Sequence, residues 1–217
     1  MRIALSGTHR SGKSTLLEQL SEQLPDHATV EEPYWMLEEE GYEAADPPTI
    51  EDFQAQLEKS LECLEEGVRD VLFDRCPADI LAYLETHPDA GSFDADDWRE
   101  RVLASMQTLD LVIFVPIEAP DRIAVAAHED RQQRLAVHDR LEALLVDDEL
   151  GTDVEVLRVE GDLGRRVEQV LARAAPATAA QKNVARPKRT ARAKKTNRAT
   201  ATASPVTTPG VRPRRQR

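Results

Sequence analysis

Cysteine and long apolar runs are scarce in this 217-residue chain, and acidic residues vanish from its last stretch. Each shortage excludes something. The two cysteines, Cys63 and Cys76, make no metal-ligand or redox spacing. They fit a reducing compartment and read as buried small hydrophobes. The longest apolar runs, Leu111 to Val115 among them, fall far short of the roughly twenty residues that a membrane-crossing helix needs. No membrane partner is therefore expected. No secretory leader pattern opens the sequence, so a cytoplasmic location is the expectation. The five histidines form no metal set. Residues 182–217 carry 12 Lys and Arg and no Asp or Glu. The net charge of −12 therefore hides a strongly acidic body and a basic end.

What is present begins almost at once. Residues 7–14 read Gly7-Thr8-His9-Arg10-Ser11-Gly12-Lys13-Ser14, the spacing of a phosphate-binding P-loop. Arg2 to Leu5 is a short apolar strand before it, and Thr15 to Leu20 is helical in pattern after it. Strand, glycine loop and helix are the context the motif requires. Glycines at both ends let successive N–H groups turn inward, and the helix that follows adds unpaired N–H groups and a positive dipole end. ATP is the expected ligand. Lys13 is expected at the β- and γ-phosphates and Ser14 on Mg²⁺, with Gly7 through Thr15 forming the cradle. His9 contacts phosphate or simply fills a variable position.

Further strands are expected at Ala28–Val30, Val71–Phe73, Leu111–Val115 and Val154–Val159, with helices between them. The second strand reads as running into Glu31–Trp35, and Glu38 to Asp46 as an acidic stretch broken by Gly41. Thr49 and Asp52 form a partial capping box for a helix that Gly67 ends. Helices are also expected from Ile80, from Asp97 to Thr108, from Leu135 to Leu145 and from Leu163 to Ala174. Alternating strands and helices imply an α/β fold, a P-loop NTPase-type three-layer αβα sandwich around a five-stranded parallel sheet. Residues 1–175 form this domain, and residues 176–217 read as a disordered basic tail.

Ligands of such sheets bind at the carboxyl ends of the strands. The P-loop, Glu31/Glu32 and Asp74/Arg75 all follow strands and are expected in one cleft. Asp74 can hold Mg²⁺ directly or through water. Arg75 can hold a substrate oxygen or the transferred phosphate bidentately, or form a strand-end salt bridge. Glu32, with Glu31 as the competing choice, can take a proton from an attacking hydroxyl. Among Arg131, Arg134 and Arg140, Arg134 is the preferred stabiliser of transition-state charge; helix-face pairing is the alternative. No apolar strand ends in adjacent Asp-Glu and no arginine-finger domain follows, which argues against a ring ATPase.

Residues 7–15, Phe73-Asp74-Arg75-Cys76-Pro77 through Leu81-Ala82-Tyr83, and Val159-Glu160-Gly161-Asp162 resemble a group of small bacterial P-loop proteins. These are often labelled AAA family ATPases and are similar to nucleoside and nucleotide kinases and to the ribosylnicotinamide kinase domain. The resemblance covers about residues 1–174. Glu32-Pro33-Tyr34-Trp35, Phe53-Gln54 and Asp74-Arg75-Cys76 look similar to deoxynucleoside kinase motifs. That likeness implies Glu32 as base for a sugar hydroxyl and Gln54 as a reader of the acceptor's base. Asp74 stands where those kinases carry glutamate, and the tryptophan lies closer to the proline.

Two functions follow as expectations. One is an ATP-dependent kinase for a small hydroxylated metabolite, such as a nucleoside or nucleotide. The other is a nucleotide-gated, slowly hydrolysing binding protein that touches nucleic acid or another polyanion through residues 182–217. No aromatic residue lies beyond Ala175, so that contact offers no base stacking.

Overall fold

The computed structural model describes residues 1–118 and 131–174, which fall within one compact unit. The expected disorder of 176–217 and the polyanion contact lie outside the described residues.

Five strands form one parallel sheet: β1 (Arg2–Ser6), β2 (Ala28–Val30), β3 (Val71–Asp74), β4 (Leu111–Phe114) and β5 (Val156–Arg158). Their order is β2-β3-β1-β4-β5, so the P-loop strand is central. Among the described residues seven α-helices accompany them: α1 (Lys13–Gln23), α2 (Pro33–Glu39), α3 (Ile50–Glu65), α4 (Pro77–Thr86), α5 (Asp96–Met106), α6 (Arg131–Leu141) and α7 (Leu163–Ala174).

The sheet alternation divides the core between two layers. Ile3, Leu5, Leu72, Leu111 and Ile113 face α1 and α7, packing with Leu16, Leu20 and Val170. Ala4, Val71, Phe73, Val112 and Phe114 face the other way, onto Leu57 and Leu61 of α3, Leu84 of α4, Val102 of α5 and Val137 of α6. This is the three-layer αβα sandwich that the apolar pattern implies.

Three local readings change. The chain does not remain extended through Trp35: Pro33 opens α2 as its first helical residue, where a fixed φ is an advantage and no N–H is lost. The last strand is confined to Val156–Arg158 at the sheet edge. The helix expected over 135–145 is already helical at Arg131 and widens into a π-helical turn, Glu142–Val146, where Asp147 N–H bonds Glu142 O. By contrast, the Thr49–Asp52 pair is a complete capping box.

Register sets the functional edge. Leu5 pairs with Asp74, Ser6 with Phe114 and Val30 with Phe73. The residues leaving β1, β2, β3 and β4 therefore emerge side by side.

Candidate functional site

The loop from Gly7 to Gly12 joins β1 to α1 and is shaped by close backbone approach. A Cβ on Gly7 would lie 2.4 Å from Val115 O, at a φ of 148° that L residues rarely adopt. Gly12 caps α1 at φ 90°. Lys13 is buried, and its Nζ donates to Thr8 O at 2.9 Å. Burial, and after it the nearby Arg75 cation, lowers the Lys13 pKa from 10.5 to about 8. Ser14 and Thr15 stand exposed in the first turn of α1, and Thr8 and Ser11 are buried.

Beside this loop, β3 ends at Asp74 and is followed by Arg75, both buried. Arg75 adopts φ 78°, a left-handed conformation that costs a non-glycine residue energy. The turn aims its guanidinium back at the loop. Nη1 donates to Gly7 O at 3.3 Å, and Nε donates to Glu32 Oε1 at 2.5 Å. Burial opposes the Arg75 charge, but Tyr83, Glu32 and Asp79 outweigh it and move its pKa upward. Glu32 is the N-cap residue of α2 and half-buried, whereas Glu31 is exposed. The geometry thus joins Glu32, Arg75 and the P-loop in one cluster.

Asp74 is the group suited to a metal. Desolvation raises its pKa against the pull of Lys13, and its buried Oδ1 has no hydrogen-bond partner. Among the described residues no cluster of three or more His, Cys, Asp or Glu could hold a metal ion. Mg²⁺ keeps waters and phosphate oxygens and takes only one or two protein ligands. Asp74 and the Ser14 hydroxyl fit such a sparse set.

The candidate arginines part company. Arg131 is exposed at the start of α6. Arg140 binds Glu85 and Glu149, tying α6 to α4. Arg134 is 1% exposed and donates to His9 O at 3.1 Å and Arg10 O at 3.0 Å. It lies against the P-loop's backbone.

Three further residues hold the loop. Asp79, fully buried on α4, accepts from Gly7 N–H at 2.9 Å and Cys76 N–H at 3.0 Å. It therefore caps its own helix and pins the loop together. Its spacing, three residues after Cys76 with Pro77 between, was a readable capping signal. The Tyr83 hydroxyl accepts from His9 N–H at 3.1 Å, and its ring lies under Arg75 at 5.4 Å. Arg166 of α7 donates to Ser11 O at 3.3 Å and pairs with Glu118. Nothing in the local sequence around Arg166 announces that contact.

Two cavities flank the cluster. One, about 320 Å³, lies between the P-loop and α7 and includes Thr15, Ile117, Arg134 and Asp162. Another, about 540 Å³, is lined by Pro47, Phe53, Tyr83, His87 and Gln133, with Phe53 stacked on Tyr83 at 5.3 Å. A third, between α2 and α3, takes Gln56 in its wall; Gln54 lines neither of these last two. Trp35 is 52% exposed, with Tyr34 edge-on to it.

Comparison with known proteins agrees with the fold. No curated protein matches the sequence. Deoxyadenosine kinase from M. mycoides with bound dATP superposes with a TM-score of 0.60 at 16% identity, covering 80% of this chain and 98% of that one. Thymidylate kinase from Candida albicans gives 0.52 at 16% identity over 78% and 88%. The NadR protein in complex with NR gives 0.51 at 18% identity over 78% and 49%. These likenesses establish the fold. Residues 2–166 match the sequence model of an AAA domain (AAA_28). With its P-loop seated on the central strand of a parallel sheet, the chain belongs to this AAA domain family.

Proposed function

We propose that the chain is an ATP-dependent phosphotransferase that moves the γ-phosphate of ATP to a hydroxyl of a small metabolite, such as a nucleoside or nucleotide. The observation that carries this reading is the Glu32–Arg75 pair docked on the Gly7 carbonyl. A carboxylate is thereby fixed beside a phosphate loop, where an attacking hydroxyl must lose its proton. A hydrolase acting on water has less need of a carboxylate carried on a separate strand and helix.

Each residue then has a role. The N–H groups of residues 7–15 and the Lys13 ammonium bind the β- and γ-phosphates. Ser14 and Asp74 would hold Mg²⁺, which when bound neutralises charge on the phosphate oxygens. Arg75 orients Glu32 and carries positive charge next to the transferred group. Glu32 receives the acceptor's proton. The Phe53–Tyr83 wall beside His9 offers a flat apolar surface for an acceptor ring.

The test supplies labelled ATP with a panel of nucleosides, nucleotides and other hydroxylated metabolites, and looks for a phosphorylated product. Glu32→Gln is expected to cut kcat by about a hundredfold or more while ATP still binds. Slow phosphate release alone, stimulated by RNA or DNA, would defeat the kinase reading.

A further inference from the structure

Five consecutive carbonyl groups of the P-loop each accept a hydrogen bond from a cationic side chain. Arg75 Nη1 reaches Gly7 O at 3.3 Å and Lys13 Nζ reaches Thr8 O at 2.9 Å. Arg134 Nε and Nη2 reach His9 O and Arg10 O at 3.1 and 3.0 Å, and Arg166 Nη1 reaches Ser11 O at 3.3 Å. All four side chains are buried. The next carbonyl, of Gly12, accepts Leu16 N–H within α1. Three of the four cations lie outside the motif: Arg75 follows β3, Arg134 comes from α6 and Arg166 from α7.

The peptide geometry gives these contacts a consequence. In a trans peptide the C=O and the following N–H point in opposite directions. Among the described residues the one cis bond is Asp46–Pro47. Carbonyls of His9, Arg10 and Ser11 held on the two guanidinium groups therefore turn the N–H groups of Arg10, Ser11 and Gly12 away from them. Those are N–H groups that a P-loop offers to phosphate. Arg134 spans two adjacent carbonyls with one planar fork, a geometry that a lysine ammonium does not reproduce. Arg166 is itself fixed, by Gly161 O at 2.9 Å and by Glu118.

We propose that Arg134 and Arg166 are positioning residues that set the phosphate-binding N–H groups of the P-loop before nucleotide arrives. The loop's affinity for a polyphosphate chain is then built partly from the far end of the domain. Preorganisation of this kind removes an ordering cost from binding, so its loss weakens affinity even where no ligand contact is lost. The inference rests on the P-loop as a polyphosphate site and on nothing about the acceptor.

Binding of ADP, of a non-hydrolysable ATP analogue and of inorganic tripolyphosphate, measured by titration calorimetry on the full chain, tests it. Arg134→Met and Arg166→Met are expected to weaken all three by about tenfold or more, the equivalent of one charge-assisted hydrogen bond. Arg134→Lys is expected to recover part of the loss, since it can hold one carbonyl of the two. If the Met variants do not fold, Arg134→Lys and Arg166→Lys decide. Affinities within about twofold of wild type in folded variants overturn the proposal. So does a loss confined to the nucleotides and absent for tripolyphosphate, which would make Arg134 a wall of the neighbouring cavity. A fall in kcat with binding unchanged overturns it too, in favour of direct contact with the transferred phosphate. Since every readout but the last is binding, a chain that phosphorylates no acceptor still tests the proposal.

Discussion

His138 shows how a residue with no place in the site can still govern behaviour. It sits on α6 and is 9% exposed, with its ring stacked on Phe114 at 5.6 Å. Its buried Nδ1 has no hydrogen-bond partner. Burial is the largest influence and lowers its pKa from the ordinary 6.5, with Arg158 and Arg134 acting in the same direction and Glu142 and Asp139 opposing. The sign follows from linkage. The folded state binds this proton less readily than the unfolded state. Stability from His138 is therefore complete above about pH 6.5 and is lost as pH falls towards the folded-state value. Thermal unfolding of wild type and His138→Phe at pH 8 and pH 5 checks this. The wild type is expected to lose more Tm over that interval, and equal losses would refute the assignment. The site residues differ in how far they could be read. Gly7, Lys13, Asp74 and Arg75 announce themselves because motif spacing and strand ends are local signals. The choice of Glu32 over Glu31 as Arg75's partner was not local, since it depends on how β2 and α2 place two neighbouring side chains against a third strand. Arg134 stood out as an arginine, but its partners are backbone carbonyls some 124 and 125 positions earlier in the chain, beyond any pattern.

α4 is the element on which the site's rigidity depends. Its N-terminus carries Cys76 as N-cap, Pro77 as first helical residue and Asp79 at the third. Asp79 Oδ2 holds the helix's own Cys76 N–H, while Oδ1 reaches across to Gly7 N–H. One turn later Tyr83 takes His9 N–H. The helix thus grips the P-loop at two points, and Arg75, just before it, makes a third. Asp79→Ala leaves these groups and the neighbouring Arg75 without their buried anion. By analogy with a broken buried pair, the expected cost is about 3–5 kcal/mol. Asp79→Asn keeps a carbonyl acceptor and is expected to cost less. Denaturant unfolding of both variants, alongside nucleotide binding, measures the difference. Equal stability of wild type and Asp79→Ala would rule out the anchoring role. Elements with strong local codes were legible: the Thr49 capping box, the apolar β4 run and the α7 periodicity all form where the residues place them. The short α2 was not, because seven residues carry too little periodicity to compete with an apparent strand extension. Nor was the π-helical turn after α6, whose widened hydrogen bonding leaves no distinct residue pattern.

Over the whole molecule, the parallel sheet converts a dispersed set of residues into one edge. P-loop, Glu32 and Arg75 leave different strands in register, and α6 and α7 return Arg134 and Arg166 to the same loop. Charge is distributed on the same large scale. Residues 1–181 hold 16 basic and 40 acidic residues, and the 12 Lys and Arg of 182–217 stand apart from all 40 acids. Such a block is suited to polyanions through counterion release, whatever the chemistry at the P-loop. The full chain is therefore expected to bind single-stranded RNA or DNA at low salt, without sequence preference. Affinity should fall linearly on a log–log plot, with a slope of about −0.7 for each phosphate neutralised. A full-length variant with glutamine at all 12 basic positions of 182–217 should lose this binding and keep nucleotide affinity at the P-loop. Electrophoretic mobility shift across a salt series makes the comparison. Binding that persists in the glutamine variant would place the contact on the acidic body, and no shift at low salt would remove nucleic acid as a partner.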